Sequence, residues 1–328
     1  MSDVIADISS VTRGGFLILL SSMVAAVVIS CFAANRMAGR FTKPLGKMKI
    51  AARQISDGNY AVKTNVSQDD EIGELAAALD EMAGKLEFAS RESARMEKLR
   101  RDLIANVSHE LRTPVTVIRG SLEALYEEVV TRPDVVREYH GQMLTESRYL
   151  EHLVSDLLDL AKLQNPDFII EMRDVDMKEI VEDAARSMKH VAGRKNITLK
   201  LSIAEEFFST FPAFPAKGDY YRLRQMLTIV LDNAVKFSSP GGYVRLDLLR
   251  AGGVTIISVR DEGCGIKPED LTHVFDRFHK QRSEENKYGT GLGLAIAKQI
   301  ADRHGIVIEI TSEAGVGTEV RFFQQSLL

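Results

Sequence analysis

The pattern of hydrophobic and polar positions divides the chain into segments of different kinds. An uncharged apolar run covers residues 16–34. Apolar positions then recur every three or four residues in residues 45–86 and again in residues 99–160, as they do in amphipathic helices. Beyond residue 167, short strand-like runs alternate with helical patterns. The pattern therefore predicts an apolar helix, several amphipathic helices and a mixed α/β region.

The apolar run is nearly long enough, at about 1.5 Å per residue, to cross a hydrocarbon core of roughly 30 Å. Arg13 precedes it, and basic residues are concentrated after it, at Arg36, Arg40, Lys43, Lys47 and Lys49. Because cytoplasmic flanks of membrane helices are rich in Lys and Arg, we expect a single transmembrane helix in the cell membrane with the C-terminal side in the cytoplasm. A cleaved signal peptide, or a lipoprotein cleavage box ending at Cys31, are alternatives that would place the remainder outside.

Residues 1–15 are then predicted to be a short extracytoplasmic N-terminus. They are too few for a folded sensor domain. We expect that the protein senses through its membrane helix or through a partner, or that the sequence starts within a longer protein.

Composition limits the remaining possibilities. The chain has 328 residues, which predicts more than one domain. Its formal net charge of -4 gives no general attraction to nucleic acid, so no nucleic-acid partner is expected. Cys31 and Cys264 lie far apart and form neither a disulfide framework nor a CxxC metal site, which fits a reducing, cytosolic location for most of the chain.

Residues 35–88 contain two predicted amphipathic helices joined by a connector containing "SDGN". The first has apolar positions at Leu45, Met48, Ala52 and Ile55. The second has a heptad-like seam of Ile72, Leu75, Leu79, Met82 and Leu86. Two short helices cannot bury both seams alone, so we expect pairing with a second copy. The layout, with Pro44 in the first helix and "DEIGEL" opening the second, resembles the HAMP signal relay.

Residues 89–165 are predicted to form two long helices. The first carries an apolar stripe at Leu99, Leu103, Val107 and Leu111 and ends near "TRPD", with Pro133 starting the next helix. The second carries Leu150, Leu153, Leu157 and Leu160. One apolar face on each helix predicts a helical hairpin, and a dimer of hairpins would close a four-helix bundle.

One histidine stands in the string "VSHELRTPVTVI". At about 100° per residue, His109 points away from the apolar stripe and toward water, and Thr113 shares its face. Pro114 removes a backbone bond to the carbonyl of Glu110, which predicts a bend. No partner histidine stands at metal-binding spacing. These observations alone are compatible with an ordinary solvated helix face.

The whole string "SHELRTP" resembles the phosphoacceptor box of sensor histidine kinases. The resemblance implies that a neutral imidazole nitrogen of His109 attacks the terminal phosphate of ATP, with Glu110 as general base. It implies that Thr113 orients water for removing phosphate from the partner, so that a phosphatase activity accompanies the kinase. The partner it implies is the receiver domain of a response regulator.

The region 166–328 is predicted to be an α/β sandwich with one helical layer. Helices are expected at residues 178–192, 219–237 and 292–303, and loops at "FPAFPAKGD" and "SSPGG". Strands are expected at "ITLKLSI", "YVRLDLL", "VTIISVRD", "IVIEITS" and "TEVRFF". No GxxxxGK[ST] string occurs, so a P-loop is excluded.

Five separated motifs nevertheless point to nucleotide binding: "VLDNAVKFS", "RDEGCGI", "FDRF", "KYGTGLGLAIAK" and "GVGT". Each alone is weak evidence, since a turn also explains a glycine pair. In this order they resemble the Bergerat-type ATP-binding domain shared by histidine kinases, Hsp90, MutL and type II topoisomerases. The resemblance covers roughly residues 167–323.

This second resemblance implies roles for individual residues. Asn233 would coordinate Mg²⁺ through its side-chain oxygen, Lys236 would meet phosphate, and Asp261 would accept a hydrogen bond from the adenine amine. Gly263 and Gly265 would give the base room, and Thr318 would help to hold a water. The implied nucleotide-binding set also contains Phe237, Ile266, Gly289, Thr290, Gly291, Leu292 and Gly293, where a glycine-rich backbone opens a helix.

A mobile lid is implied between these motifs. Its cations are Arg277, Lys280, Arg282 and Lys287, which would offset triphosphate charge, and its anchors are Phe275 and Phe278. Each cation is equally compatible with a solvated loop. The chain departs from the family at Ile229, where a second asparagine is common, so magnesium coordination would depend more on Asn233 and water.

The sequence is thus interpreted as a multidomain, membrane-anchored sensor histidine kinase that uses ATP and Mg²⁺. It combines a transmembrane helix at 16–34, a HAMP-like linker at 35–88, a dimeric phosphotransfer hairpin at 89–165 and a cytoplasmic catalytic domain at 166–328. A phosphatase-dominant member and a catalytically inactive, nucleotide-binding scaffold are the alternatives. The remaining histidines are expected to be structural or at the surface.

Overall fold

The computed structural model of the chain describes residues 2–165, 167–204, 214–280 and 289–325, with side chains from residue 15 onward. The chain divides into two compact units, residues 1–102 and 103–328. The long helix α3, Glu71–Tyr126, contributes to both.

The first unit begins with helix α1, Ser2–Met37, which continues through a π-helical turn, Ala38–Thr42, into α2, Lys43–Ser56. Within the described residues, Gly15–Ser56 is the one helical stretch long and apolar enough to cross a membrane, judged by length and composition. The predicted membrane segment lies inside it, and its apolar side chains are exposed.

The apolar positions predicted for α2 divide between two faces. Met48 and Ile55 are buried, together with Pro44 and Ala51, whereas Leu45 is exposed. The face that carries Leu45 lies about 100° around the helix from the face that carries the buried residues. The helix therefore buries one face within the unit and leaves a second apolar face open.

Small residues form the buried face of the N-terminal part of α3, at Gly73, Ala76 and Ala83. A Cβ at Gly73 would lie 1.7 Å from the carbonyl oxygen of Gln68, so the connector crosses the helix at a point where only glycine fits. Buried Thr64 donates its backbone N–H and its hydroxyl to the Asp80 carboxylate, at 2.7 and 3.0 Å. These contacts fix the connector on this face.

Helices α3 and α4 form the hairpin of the second unit. Pro114 lies inside α3, which continues to Tyr126. Helix α4, Pro133–Gln164, starts at the predicted proline. The apolar stripe predicted for α4 does not pack within the hairpin alone. Its residues Leu153 and Leu160 are buried in the core of the catalytic domain.

The catalytic domain has a five-stranded sheet of order β2-β4-β5-β7-β6. β2 and β4 are parallel and the other neighbours are antiparallel. The strands are β2 Thr198–Ile203, β4 Tyr243–Ala251, β5 Val254–Asp261, β6 Val307–Glu313 and β7 Gly317–Gln325. All five were predicted, within two residues at each end.

One helical layer covers this sheet. It contains α5 Met177–Arg194, α6 Tyr220–Phe237 and α8 Gly293–Arg303, while the short α7, Pro268–Leu271, lies outside it. Val244, Leu246 and Leu248 alternate along β4 with more exposed residues, so that one face of the sheet is buried under the helices. The predicted two-layer α/β sandwich is confirmed.

The prediction of a loop at "FPAFPAKGD" is wrong in its second half. Residues Pro215–Gly218 form strand β3, which pairs antiparallel with β1, Arg173–Asp176. Residues 211–213 of this string lie outside the described residues. The two prolines and the glycine of this string are typical of loops, so the sequence pattern did not predict the short strand. Proline is nevertheless tolerated in such edge strands.

His304 connects the end of α8 to the start of α6. Its Nε2 accepts a hydrogen bond from the Asp219 backbone N–H at 3.0 Å, and its Nδ1 donates to the Ile300 carbonyl at 2.7 Å. One nitrogen must accept, so the buried ring is neutral. Burial lowers the pKa of His304, more than its hydrogen bond to Ile300 raises it.

We predict that this histidine makes the catalytic domain sensitive to acid. Because the pKa of His304 is lower in the folded than in the unfolded chain, the unfolded state binds the proton more readily. The stabilisation that neutral His304 contributes is complete above the pKa of histidine in the unfolded chain, about 6.5. It is lost as the pH falls below that pKa toward the lower pKa of the folded state. Between about pH 7.5 and 5.5, the melting temperature should fall more steeply with decreasing pH for the wild type than for His304→Gln. Exposed His190→Gln is the matched control and should leave the slope unchanged.

Candidate functional site

A cavity of about 500 Å³ opens between α6, the ends of β5 and β7, and the N-terminus of α8. It brings together most residues of the predicted nucleotide site. Those that line it are Asn233, Lys236, Phe237, Asp261, Gly265, Ile266, Gly289, Thr290, Gly291, Gly293 and Thr318.

The remaining predicted residues lie elsewhere. Leu292 is fully buried in the domain core, because it occupies the N-cap position of α8 and its side chain points inward. Gly263 lies behind the cavity, where a Cβ would be 2.5 Å from the Phe237 carbonyl oxygen. Arg277 and Lys280 face the hairpin, as described below. Arg282 and Lys287 lie outside the described residues.

The Asp261 carboxylate stands at the end of β5. Its Oδ1 accepts the Gly263 backbone N–H at 2.8 Å, and the Thr318 backbone N–H also donates to this carboxylate. Burial raises the pKa of Asp261, against the lowering effect of these two bonds. The Thr318 hydroxyl is hydrogen-bonded to Ser312 Oγ at 2.8 Å. Asp261 is therefore held rigidly as an acceptor at the floor of the cavity.

Glycines allow the backbone segments of this floor to touch. Gly265 has a φ of +64°, and a Cβ there would lie 2.0 Å from the Glu313 carbonyl oxygen. A Cβ at Gly317 would lie 2.1 Å from the Asp261 carbonyl oxygen. Any larger residue at either position would push apart the segments that shape the cavity.

Cations gather at the opposite end, around the C-terminal turn of α6. Burial lowers the pKa of Lys236, and the nearby ammonium groups of Lys195 and Lys280 lower it further, while Asp232 opposes them. Mutually repelling cations at the mouth of a cavity favour a polyanion there. This end of the cavity therefore suits a triphosphate.

The donors present fit a hard cation bound together with phosphates. Asn233 and Asp232 are consecutive on α6, and both line the cavity with oxygen atoms of the kind that Mg²⁺ prefers. Burial raises the pKa of Asp232. Among the described residues no cluster of three or more His, Cys, Asp or Glu side chains forms a metal site. Sequence reasoning missed Asp232, and Ile229 contributes an apolar wall.

The hairpin supplies one wall of the cavity, which was not predicted. His152, Ser155 and Asp156 of α4 line it. The Thr290 hydroxyl donates to Asp156 Oδ2 at 2.6 Å and accepts the Leu292 backbone N–H at 3.2 Å. A carboxylate of the hairpin thus sits at the N-terminus of α8. Burial raises the pKa of Asp156.

His109 is exposed on α3, as predicted. It lines a second cleft, of about 370 Å³, together with Asn106, Glu110 and the segment 273–279 of the catalytic domain. The Thr113 hydroxyl donates to the His109 backbone carbonyl at 3.3 Å. Arg277 is half-buried in this cleft, and no ion pair with another described residue is found for it. The second cleft therefore combines a nucleophile with a cation.

Glu110, the residue after His109, is bonded to both α4 and the catalytic domain. Its Oε2 accepts hydrogen bonds from the Tyr149 hydroxyl at 2.5 Å and from the Lys280 ammonium at 2.6 Å. Burial raises the pKa of Glu110, but these two donors outweigh it and hold the pKa below its usual range. Lys280, predicted for the triphosphate, is thus paired with the hairpin carboxylate.

Comparison with known families matches three domain models. Residues 36–88 match the HAMP domain, residues 99–166 match the His Kinase A (phospho-acceptor) domain, and residues 218–326 match the "Histidine kinase-, DNA gyrase B-, and HSP90-like ATPase". The chain therefore belongs to the HAMP-containing sensor histidine kinases.

Individual relatives agree with this assignment. The sensor histidine kinase YclK of Bacillus subtilis is 30% identical over 92% of this chain and 63% of its own length. The histidine kinase AdeS of Acinetobacter baumannii has a TM-score of 0.53 at 25% identity, over 67% of this chain and 98% of the solved one. The chain spans less than two thirds of the length of YclK.

A further solved structure shares the fold. The histidine kinase ThkA, in complex with the response regulator protein TrrA, has a TM-score of 0.57 at 21% identity, over 74% of this chain and 67% of the solved chain.

We predict that nucleotide binding depends on Gly265 because of its backbone contact. Gly265→Ala should weaken ATP binding at least tenfold, since the added methyl group collides with the Glu313 backbone. Gly315→Ala is the matched control: Gly315 also has a positive φ, of +82°, but a Cβ there meets nothing within 4 Å. Titration with a fluorescent ATP analogue checks both variants. Equal affinities for the two would contradict the assigned role of Gly265.

Proposed function

We propose that the chain is a membrane-anchored sensor histidine kinase that autophosphorylates His109 from ATP and passes the phosphoryl group to an aspartate of a response regulator. The observation that carries the proposal is the adjacency of the two cavities. His279 lines both the nucleotide cavity and the cleft that contains His109. The cleft that contains the exposed His109 imidazole and the nucleotide cavity thus meet at the His279 side chain.

The residues present match the chemistry of this reaction. A neutral imidazole nitrogen of His109 attacks the γ-phosphorus of ATP, the bond to the β–γ bridging oxygen breaks, and ADP leaves. Glu110 accepts the proton from the other ring nitrogen. Lys236, Lys280 and Arg277 offset the charge on the phosphoryl oxygens.

A divalent cation belongs to this proposal. Mg²⁺, when bound with the nucleotide, would neutralise phosphate charge, and Asn233 would hold it with Asp232 beside it. Asp261 binds the adenine amine at the other end of the cavity. The positions of these side chains in the lining of the cavity support these roles.

The proposal also includes a membrane anchor, a dimer and a response regulator partner. The apolar segment 16–34, within the helical stretch Gly15–Ser56, anchors the chain in the cell membrane, and the region after residue 34 is cytoplasmic. Exposed apolar side chains on the hairpin, including Leu122, Leu144 and Leu158, are covered by a second copy in a four-helix bundle. The complex of ThkA with a response regulator protein supports the same class of partner here.

We predict that the wild-type chain, incubated with radiolabelled ATP and magnesium, acquires label that is labile in acid and stable in alkali, as a phosphoramidate is. His109→Gln removes the nucleophile and should acquire none. His140→Gln, which changes another exposed histidine of the hairpin, should label at the wild-type rate.

Absence of label from the wild type, with ATP binding intact, would contradict the kinase and favour the nucleotide-binding scaffold. Acid-stable label would indicate phosphorylation of a hydroxyl group instead of a histidine.

The proposal includes dephosphorylation of the response regulator, with Thr113 orienting the attacking water. Thr113 lies one helical turn from His109 on the exposed face. Its hydroxyl has a single bond to the helix backbone, which leaves an oxygen lone pair for water.

We predict that Thr113→Ala lowers phosphatase activity toward the phosphorylated regulator at least tenfold and leaves His109 labelling within about twofold. Thr116→Ala is the matched control, because Thr116 is equally exposed and its hydroxyl also bonds one turn back, to the Arg112 carbonyl at 2.9 Å. Equal phosphatase rates for the two variants would remove Thr113 from the mechanism.

A further inference from the structure

We propose that Tyr149 is a positioning residue that holds the Glu110 carboxylate in place to take the proton of His109. The inference deepens the proposed function and rests on it, because it concerns the general base of the same site. Tyr149 lies outside the histidine box and the nucleotide-binding motifs, and it is half-buried on α4, the other helix of the hairpin.

The contact is well defined on both sides. The Tyr149 hydroxyl lies 2.5 Å from Glu110 Oε2, and its ring packs against the hydrophobic core. Glu110 is also half-buried, with 24% of its side chain exposed. Ring packing fixes the hydroxyl, and the hydroxyl in turn fixes the carboxylate.

The two donors to Glu110 come from different parts of the unit. Lys280 belongs to the catalytic domain, where its ammonium lies 2.6 Å from Glu110 Oε2 and 3.3 Å from the Tyr149 hydroxyl. Tyr149 belongs to the hairpin itself, as Glu110 does. When Lys280 turns to phosphate, as the proposed function requires, Tyr149 remains in place. Tyr149 is therefore the donor suited to act during phosphoryl transfer.

Both donors bind the same carboxylate oxygen. Within the described part of the chain, Oε1 of Glu110 has no hydrogen-bond partner. Glu110 follows His109 directly, and both line the same cleft. Fixing Oε2 thus leaves Oε1 available to accept the proton from the imidazole.

Other charged groups around Glu110 do not replace this contact. His109 lies beside it on α3, and His273, Asp276, Arg277 and His279 line the far wall of the cleft. Burial and the neighbouring carboxylate raise the pKa of Tyr149, so its hydroxyl stays protonated and can only donate to an ionised Glu110. The bond therefore favours the form of Glu110 that acts as a base.

The test uses the chain in detergent micelles, with Tyr149→Phe, which removes the hydroxyl and keeps the ring. Tyr126→Phe is the matched control, because Tyr126 lies on the same hairpin and is 89% exposed. We expect Tyr149→Phe to slow His109 labelling about tenfold at saturating MgATP, the effect of one hydrogen bond to a charged group, with the KM for ATP unchanged. The acid limb of the rate profile should move to higher pH, because the bond lowers the pKa of Glu110.

A double-mutant cycle separates positioning from a general effect on folding. In the background of Glu110→Gln, Tyr149→Phe should cause no further slowing. Equal rates and pH profiles for Tyr149→Phe and Tyr126→Phe, or an additional loss in the Glu110→Gln background, would overturn the proposal.

A second measurement does not depend on catalysis. The carboxyl carbon of Glu110 in glutamate-labelled protein, assigned by its loss in Glu110→Gln, can be titrated by NMR. Its pKa should be higher in Tyr149→Phe than in the wild type, and an unchanged pKa would overturn the contact. If the wild type takes no label, the proposed function fails and the catalytic role of Tyr149 fails with it. The titration then still shows separately whether the hydroxyl holds Glu110.

Discussion

The Glu110 carboxylate joins the hairpin and the catalytic domain of the second unit, because it accepts a hydrogen bond from each of them. It pairs with Lys280 at 2.6 Å, and 23% and 24% of the two side chains are exposed. Removing one partner of a fully buried pair costs about 3–5 kcal/mol, and the partial exposure here reduces that cost. The Glu110–Lys280 ion pair is therefore strong enough to favour this arrangement of the hairpin and the catalytic domain. It is also weak enough to break when the two parts adopt another arrangement. A second half-buried ion pair, Arg222 with Asp159, and the packing of Leu153 support the same contact.

The nucleotide site depends on this arrangement in a direct way. Two groups that sequence analysis assigned to nucleotide binding, Lys280 and Thr290, are bonded to the hairpin carboxylates of Glu110 and Asp156. The Thr290 hydroxyl has only one proton to donate, so it cannot donate to Asp156 and to a phosphate oxygen together. The hairpin thus lines the cavity proposed for the nucleotide, and its carboxylates bond to groups that would otherwise be available to an anion. At the Asp261 end of the cavity, the described bonds of the carboxylate come from the Gly263 and Thr318 backbone and not from the hairpin.

The sequence predicted the architecture of the catalytic domain well, because its five main strands are long and strongly apolar and its helices have a clear buried face. It failed at β1 and β3, because both strands have only four residues with no visible apolar alternation, and β3 also contains a proline and a glycine. Motif residues line the cavity where close backbone approach requires a glycine, as at Gly265. Leu292 was misplaced, since a motif does not distinguish a side chain that lines a cavity from one that supports it. Tyr149 and Asp156 carried no signal in the sequence, because their importance comes from contacts across about 40 and 130 residues.

The central claim is that His109 receives the phosphoryl group, and the most direct measurement locates the new bond. The chain is allowed to react with MgATP, digested under neutral to alkaline conditions that preserve phosphoramidates, and analysed by tandem mass spectrometry. The account predicts a phosphoryl group on the imidazole of His109 in the peptide that contains "SHELR". A phosphoryl group on any other residue, or none on His109 while ATP is consumed, would contradict it.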